Sequence, residues 1–157
     1  MAKFPTEVEH SVTVRAPMAR VYGYLWDVVG SSACIPGLDR CERAGKDTYR
    51  FIYAERSAGP VSMTVRYTAR YSGNGRDMIT FEGTAAKGDN TDVRGTIQLA
   101  AAGSGKVRVT LRQMLAPDTP IPRLLQGMIR GFVEREAAAG LATYLENVAA
   151  ALADTGG

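Results

Sequence analysis

Between residues 49 and 115 apolar side chains recur at every second position, in runs separated by glycine-rich turns. Nothing else in the chain constrains its fold as tightly. A period of two puts alternate side chains on opposite faces of a strand. Tyr49, Phe51 and Tyr53 alternate with Arg50, Ile52 and Ala54. Val61, Met63, Val65, Tyr67, Ala69 and Tyr71 face one way; Ser62, Thr64, Arg66, Thr68, Arg70 and Ser72 face the other. Later runs carry Ile79, Phe81, Gly83 and Ala85, then Val93, Gly95, Ile97 and Leu99, then Val107, Val109, Leu111, Gln113 and Leu115. Gly73-Asn74-Gly75, Gly88-Asp89-Asn90 and Gly103-Ser104-Gly105 read as the tight turns between them. Such a meander has one apolar and one wet face, so another element must cover the apolar one.

The cover follows directly. Asp118-Thr119-Pro120 supplies cap candidates, and Pro122 to about Ala153 reads as one long helix, free of further proline and rich in helix formers. The tail from Asp154 to Gly157 is expected to fray. Upstream, Thr6 to Val14 forms a first strand with Val8, His10, Val12 and Val14 on one face. Pro17 opens a helix carrying Met18, Val21, Tyr22, Leu25 and Val28, and Pro36-Gly37 stops a second, shorter one. The order is strand, helix, helix, six strands, long helix. It predicts an α+β architecture in which a curved, seven-stranded antiparallel sheet wraps around a long C-terminal helix. One domain over residues 1–157, with an ordered core of about 6–153, accommodates it all. A helix and a strongly curved sheet cannot fill the space between them, so a cavity is expected there, the usual place for a ligand.

Several function classes are disfavoured. No apolar run approaches the roughly 18 residues of a membrane span, and residues 1–9 carry no apolar signal region, so the expected location is cytoplasmic. The formal charge of +3 comes from scattered arginines, and the aromatics are not interleaved with a basic stripe. Nucleic acid is therefore not an expected partner. Cys34 and Cys41 are too far apart for a Cys-x-x-Cys redox pair, and the single histidine, His10, cannot complete a four-ligand zinc site. No metal, cofactor or catalytic motif is predicted. Gly103-Ser104-Gly105-Lys106 lacks the first glycine and the following Ser/Thr of a phosphate-binding loop.

The candidate ligand-binding residues follow from the inward faces: Tyr49, Phe51, Tyr53, Met63, Val65, Tyr67, Phe81, Ile97 and Leu111. Tyrosine offers a flat apolar body and one hydroxyl, suited to a ring-bearing ligand with few polar atoms. His10, Glu55 and Gln113 fall on the apolar register, where an unpaired polar group costs about 1–3 kcal/mol. Gln113 is the best polar candidate, because its amide both donates and accepts; His10 is the second. On the long helix Ile121, Leu125, Met128, Ile129 and Phe132 form one stripe, and Leu141, Tyr144, Leu145, Val148 and Leu152 another, about 170° away. A straight helix cannot aim both at one sheet. Leu125, Met128 and Phe132 are therefore assigned to a gate over the pocket, with a homodimer or membrane contact as the alternative, and Gly131 and Gly140 mark where a kink would fall.

Val14-Arg15-Ala16-Pro17, Val21-Tyr22 with Leu25 and Asp27, Cys34-Ile35-Pro36-Gly37 and Gly59-Pro60-Val61, in this order of elements, resemble the START-like superfamily of polyketide cyclases and lipid-transfer proteins. Within it, the Cys-Ile-Pro-Gly stretch and the Gly-Pro-Val turn look like the carbon monoxide dehydrogenase G-subunit family. The resemblance implies a helix-grip fold and a hydrophobic pocket for a lipid-, quinone- or polyketide-like molecule. Three functions follow as expectations. The first is a noncatalytic binder or carrier. The second is a cyclase or dehydratase using His10 or an inward tyrosine. The third is an accessory protein docking on a redox enzyme or membrane through the arginine-bearing outer sheet face and the start of the long helix.

Overall fold

The computed structural model describes residues 2–154. Short strand β1 (Ala2–Lys3) and β2 (Thr6–Val14) run along the same partner strand; α1 (Met18–Trp26), α2 (Val28–Ser31) and a 3-10 turn, Ser32–Cys34, follow. Next come β3 (Leu38–Gly45), β4 (Thr48–Tyr53), β5 (Arg56–Ala58), β6 (Val61–Met63), β7 (Arg66–Gly73), β8 (Met78–Gly83), β9 (Thr91–Ala101) and β10 (Val107–Thr119). A second 3-10 turn, Arg123–Leu125, leads into α3 (Gln126–Asp154).

Seven strands make the antiparallel sheet in the order β2-β10-β9-β8-β7-β4-β3, and β1 extends its β2 edge. Ala2 pairs with Thr119 and Thr6 with Leu115, so β1 and β2 keep one register along β10. Pro5 interrupts them because it has no N–H to give the ladder. Phe4 still donates its backbone N–H to the Pro117 carbonyl at 3.0 Å. The curved sheet around a long C-terminal helix expected from the order of elements, and the helix-grip fold implied by the resemblance, are therefore observed.

α3 lies along β2 and the Ser32–Cys34 turn. It is fastened there by Asn147, whose Nδ2 donates to the Cys34 carbonyl at 2.9 Å. Leu141, Leu145, Val148 and Leu152 join the main core with Val14, Val21, Leu25, Ile79 and Val109. α1 closes one end of that core. Tyr22 stacks on Trp26 with ring centroids 6.2 Å apart, and its hydroxyl accepts the Gly75 N–H at 2.9 Å.

Several details depart from the sequence expectation. The run 61–72 is not one strand: it breaks at Thr64–Val65, and β6 leaves the sheet to pair with β5 in a separate hairpin. β3, the strand of the expected order that no alternation marked, is an edge strand with only Leu38 and Cys41 half-buried. Asp118 and Thr119 belong to β10 rather than to a helix cap, and α3 begins at Gln126 rather than Pro122. Pro17 caps α1 from outside its first turn. Gly88-Asp89-Asn90 belongs to a longer connection, 84–90, in which Asp89 is buried 3.7 Å from Arg50. α3 runs unbroken past Gly131 and Gly140, so no break separates its two stripes. Asp154 is its last residue, and the rest of the expected frayed tail lies outside the described residues.

The N-terminal stripe has its own partner instead. Ile129 and Val133 pack with Phe4, Ala58, Met63 and Ile121 in a smaller core beneath the β5–β6 hairpin, with Leu125 and Phe132 at its margin. One continuous helix thus serves two cores.

Candidate functional site: an apolar cavity under the middle of the long helix

Between the inner sheet face and the middle of α3 lies a cavity of about 380 Å³, within the usual size of small-molecule sites. Its origin is visible in α3. Between Val133 and Leu141, which line it too, the helix presents only Glu136, Ala137, Ala139 and Gly140 to this space. The small side chains among them stand where the helix changes from one core to the other, and they leave room above the sheet's aromatic floor.

That floor is continuous. Phe51 stacks on Tyr67 at 5.0 Å, Tyr71 on Phe81 at 5.2 Å, and Tyr53 lies 6.0 Å from Tyr67. β4, β7 and β8 deliver these rings in register: Phe51 pairs with Tyr67, and Tyr71 with Phe81. Gly95, opposite Phe81, makes the floor possible. A Cβ there would clash with Phe81 Cζ and stand 2.7 Å from the Arg112 carbonyl oxygen.

Polar atoms are few. The Tyr53 and Tyr67 hydroxyls are hydrogen-bonded at 3.2 Å. Burial holds Tyr67 and Tyr71 well above the usual tyrosine pKa of 10.0, and burial raises Tyr53 and Tyr144 too. Each is therefore a neutral phenol at physiological pH, able to donate a hydrogen bond but not to act as a phenolate base. Gln113 and Thr143 add an amide and a hydroxyl. Charged lining groups stand at the opening, where Arg56 Nη2 meets Glu136 Oε1 at 2.9 Å with both side chains partly exposed.

Of the residues singled out in the sequence, Phe51, Tyr53, Met63, Val65, Tyr67, Phe81, Ile97, Leu111, Gln113 and Phe132 line this one space. Four candidates do not. Tyr49 packs edge-on against Tyr71 in the main core, with centroids 5.7 Å apart. His10 pairs in register with Leu111 but is exposed. Leu125 joins the smaller core, and Met128 lies over the β5–β6 turn, its Cε 3.3 Å from where a Gly59 Cβ would be. Glu55, the remaining polar residue on the apolar register, is exposed outside the strands.

Other lining residues escaped the sequence reading. Tyr71 and Leu115 continue alternations already recognised, and Leu141 and Tyr144 belong to the second helical stripe, so a signal existed. Ala137 and Gly140 had none, since a search for apolar bulk passes over small residues. The pairing of Arg56 with Glu136, 80 positions apart, has no local signature. Cys34 and Cys41 are free thiols; the Tyr24 hydroxyl lies 3.1 Å from Cys34 Sγ, and its pKa is pushed up to about 12 by burial and then by that contact. Among the described residues no cluster of three metal-ligating side chains occurs, and no helix is long and apolar enough to cross a membrane.

Fold and cavity together define a helix-grip domain built around an apolar cavity. Residues 5–150 match the family model for polyketide cyclase / dehydrase and lipid transport, and the chain belongs to that family. Solved structures share the fold. A conserved protein from Geobacillus kaustophilus superposes with a TM-score of 0.71 at 15% identity, covering 96% of this chain and 97% of that one. The Zhui aromatase/cyclase from Streptomyces gives 0.62 at 18% identity, with 92% and 93% covered. A START superfamily protein from Mycobacterium smegmatis gives 0.57 at 14%, with 93% and 98% covered. No curated protein matches the chain in sequence.

Proposed function

We propose that this chain binds a hydrophobic small molecule bearing one or more rings and few oxygens, quinone- or polyketide-like, as a carrier or binding protein. The supporting observation is the floor of stacked rings with neutral phenol hydroxyls, under a stretch of helix too small to fill the space. The rings offer apolar faces, and Tyr53, Tyr67 and Gln113 offer hydrogen bonds to isolated oxygens. Fold alone does not decide between carrier and enzyme. The carrier reading is preferred because the charged lining groups, Arg56 and Glu136, stand at the opening and not among the rings.

The test is a thermal-shift series with quinones, aromatic polyketides and fatty acids. At least one ring-bearing class should raise the Tm. Tyr67→Phe should weaken an oxygenated ligand by about fivefold, the worth of one hydrogen bond, and leave an all-hydrocarbon ring unaffected. No shift with any class counts against the proposal.

A second reading, a cyclase or dehydratase, draws on the Tyr53–Tyr67 pair as a proton donor. Turnover of a linear polyketide mimic, abolished by Tyr53→Phe, distinguishes it. The narrower resemblance to the carbon monoxide dehydrogenase G-subunit family rests on Cys34–Gly37, of which Ile35, Pro36 and Gly37 line the cavity, and on the Gly59-Pro60-Val61 turn. An accessory role on a redox enzyme is what that resemblance adds, and co-purification with a dehydrogenase is its check.

A further inference from the structure

The first helical stripe is buried only in part. Ile129 and Val133 disappear into the smaller core, but Leu124 is 97% exposed and Met128 44%. One turn apart on the same side of the helix start, they stand beside the tip of the β5–β6 hairpin, where Met128 covers Gly59 and Pro60 is exposed. Pro122 is exposed next to them. A leucine with nearly all its surface in water, next to an exposed methionine and near two exposed prolines, forms an apolar tip at the start of the helix. Phe132 and Val133, one turn further on, line the cavity itself.

The charge around this tip is one-sided. Residues 119–133 contain Arg123 and Arg130, both exposed, and no acid, with Asp118 just before them; the β5–β6 hairpin carries Arg56, which is paired with Glu136, and is preceded by the exposed Glu55. The whole chain is nearly balanced, with 19 basic and 16 acidic residues, so the acid-free stretch at the helix start stands out from the composition. Glu134 and Glu136, the first acids on the helix, come a turn later, and Glu136 is engaged by Arg56.

We propose that this tip docks on an anionic lipid surface. Leu124 and Met128 enter the acyl boundary while Arg123 and Arg130 meet the headgroup phosphates, the arrangement that makes a basic, apolar-tipped helix start bind reversibly at an interface. A second copy of the chain fits less well, because a symmetric contact through this tip would oppose arginine to arginine. Docking sets the cavity wall against the phase in which a hydrophobic ligand dissolves. The proposal does not depend on the ligand's identity, and its test uses none.

The full chain is sedimented with vesicles of phosphatidylcholine alone, or of phosphatidylcholine with about one third phosphatidylglycerol. Binding is expected to the anionic vesicles and to fall as salt is raised. Leu124→Ser should weaken it at least about tenfold, the worth of burying one leucine. The double variant Arg123→Gln/Arg130→Gln should lose about fivefold per charge and with it the preference for anionic lipid. Val29→Ser, altering an exposed valine on α2, should bind like the parent chain. Absence of sedimentation with both vesicles, or equal binding by Leu124→Ser, overturns the proposal. So does a concentration-dependent dimer in light scattering that Leu124→Ser dissolves, which would give the tip to a second copy.

Discussion

Gly95 shows how a single position shapes the cavity floor. In the sequence it reads as a gap in an apolar alternation; the ring that fills the gap, Phe81, comes from the next strand. Gly95→Ala places a methyl against that ring and against a backbone oxygen that cannot move aside. It should cost about 1–3 kcal/mol, the usual range for overpacking, read from urea unfolding; an unchanged midpoint would contradict this account of the floor. The tyrosines carry a second prediction. Burial raises Tyr67 and Tyr71 well above 10.0, so the folded state holds protons that the unfolded chain releases from that pH upward. Their contribution to stability is complete below pH 10 and declines as pH rises from there toward the folded values. Urea midpoints from about pH 8 to about pH 11 should stay level and then fall, with phenolate absorbance from these rings appearing only on unfolding. Titration of all the tyrosines near 10 in the folded protein would refute it. The rings themselves were legible from the alternation, whereas their shared burial depends on a helix some 70 residues downstream in sequence.

At the scale of elements, alternation located the sheet strands that bury one face between residues 49 and 115, and missed what alternation cannot report. β3 is an edge strand without a buried face, and the β6–β7 break preserves side-chain parity, so the pattern runs through it undisturbed. The out-of-phase stripes of α3 were legible as a contradiction, and the hairpin that resolves it was not, because β5 and β6 are three residues each. That hairpin is joined to α3 at the cavity opening by Arg56 and Glu136. An exposed ion pair is worth about 0–1 kcal/mol, so Arg56→Ala or Glu136→Gln should barely move the Tm. Either should speed release of a bound ligand severalfold in stopped-flow measurements, since the pair spans the exit. Unchanged release rates in both variants would show that ligand leaves elsewhere.

For the whole molecule, the cavity follows from a division of labour along one helix. Its C-terminal half closes the main core, its N-terminal half closes the smaller one, and the small residues between them close neither. The sequence predicted that a sheet and a helix would leave space, but not where, because the signal is an absence of bulk at Ala137, Ala139 and Gly140. The central claim is that this space holds a hydrophobic molecule. Native mass spectrometry of the chain purified from its own host, beside an Ala137→Phe variant that fills the space, tests it most directly. A non-covalent adduct of a ring-bearing hydrophobic molecule is expected on the parent chain and not on a folded Ala137→Phe variant; a parent chain repeatedly free of adduct, or an adduct equally retained by the variant, would show that the space does not hold such a molecule.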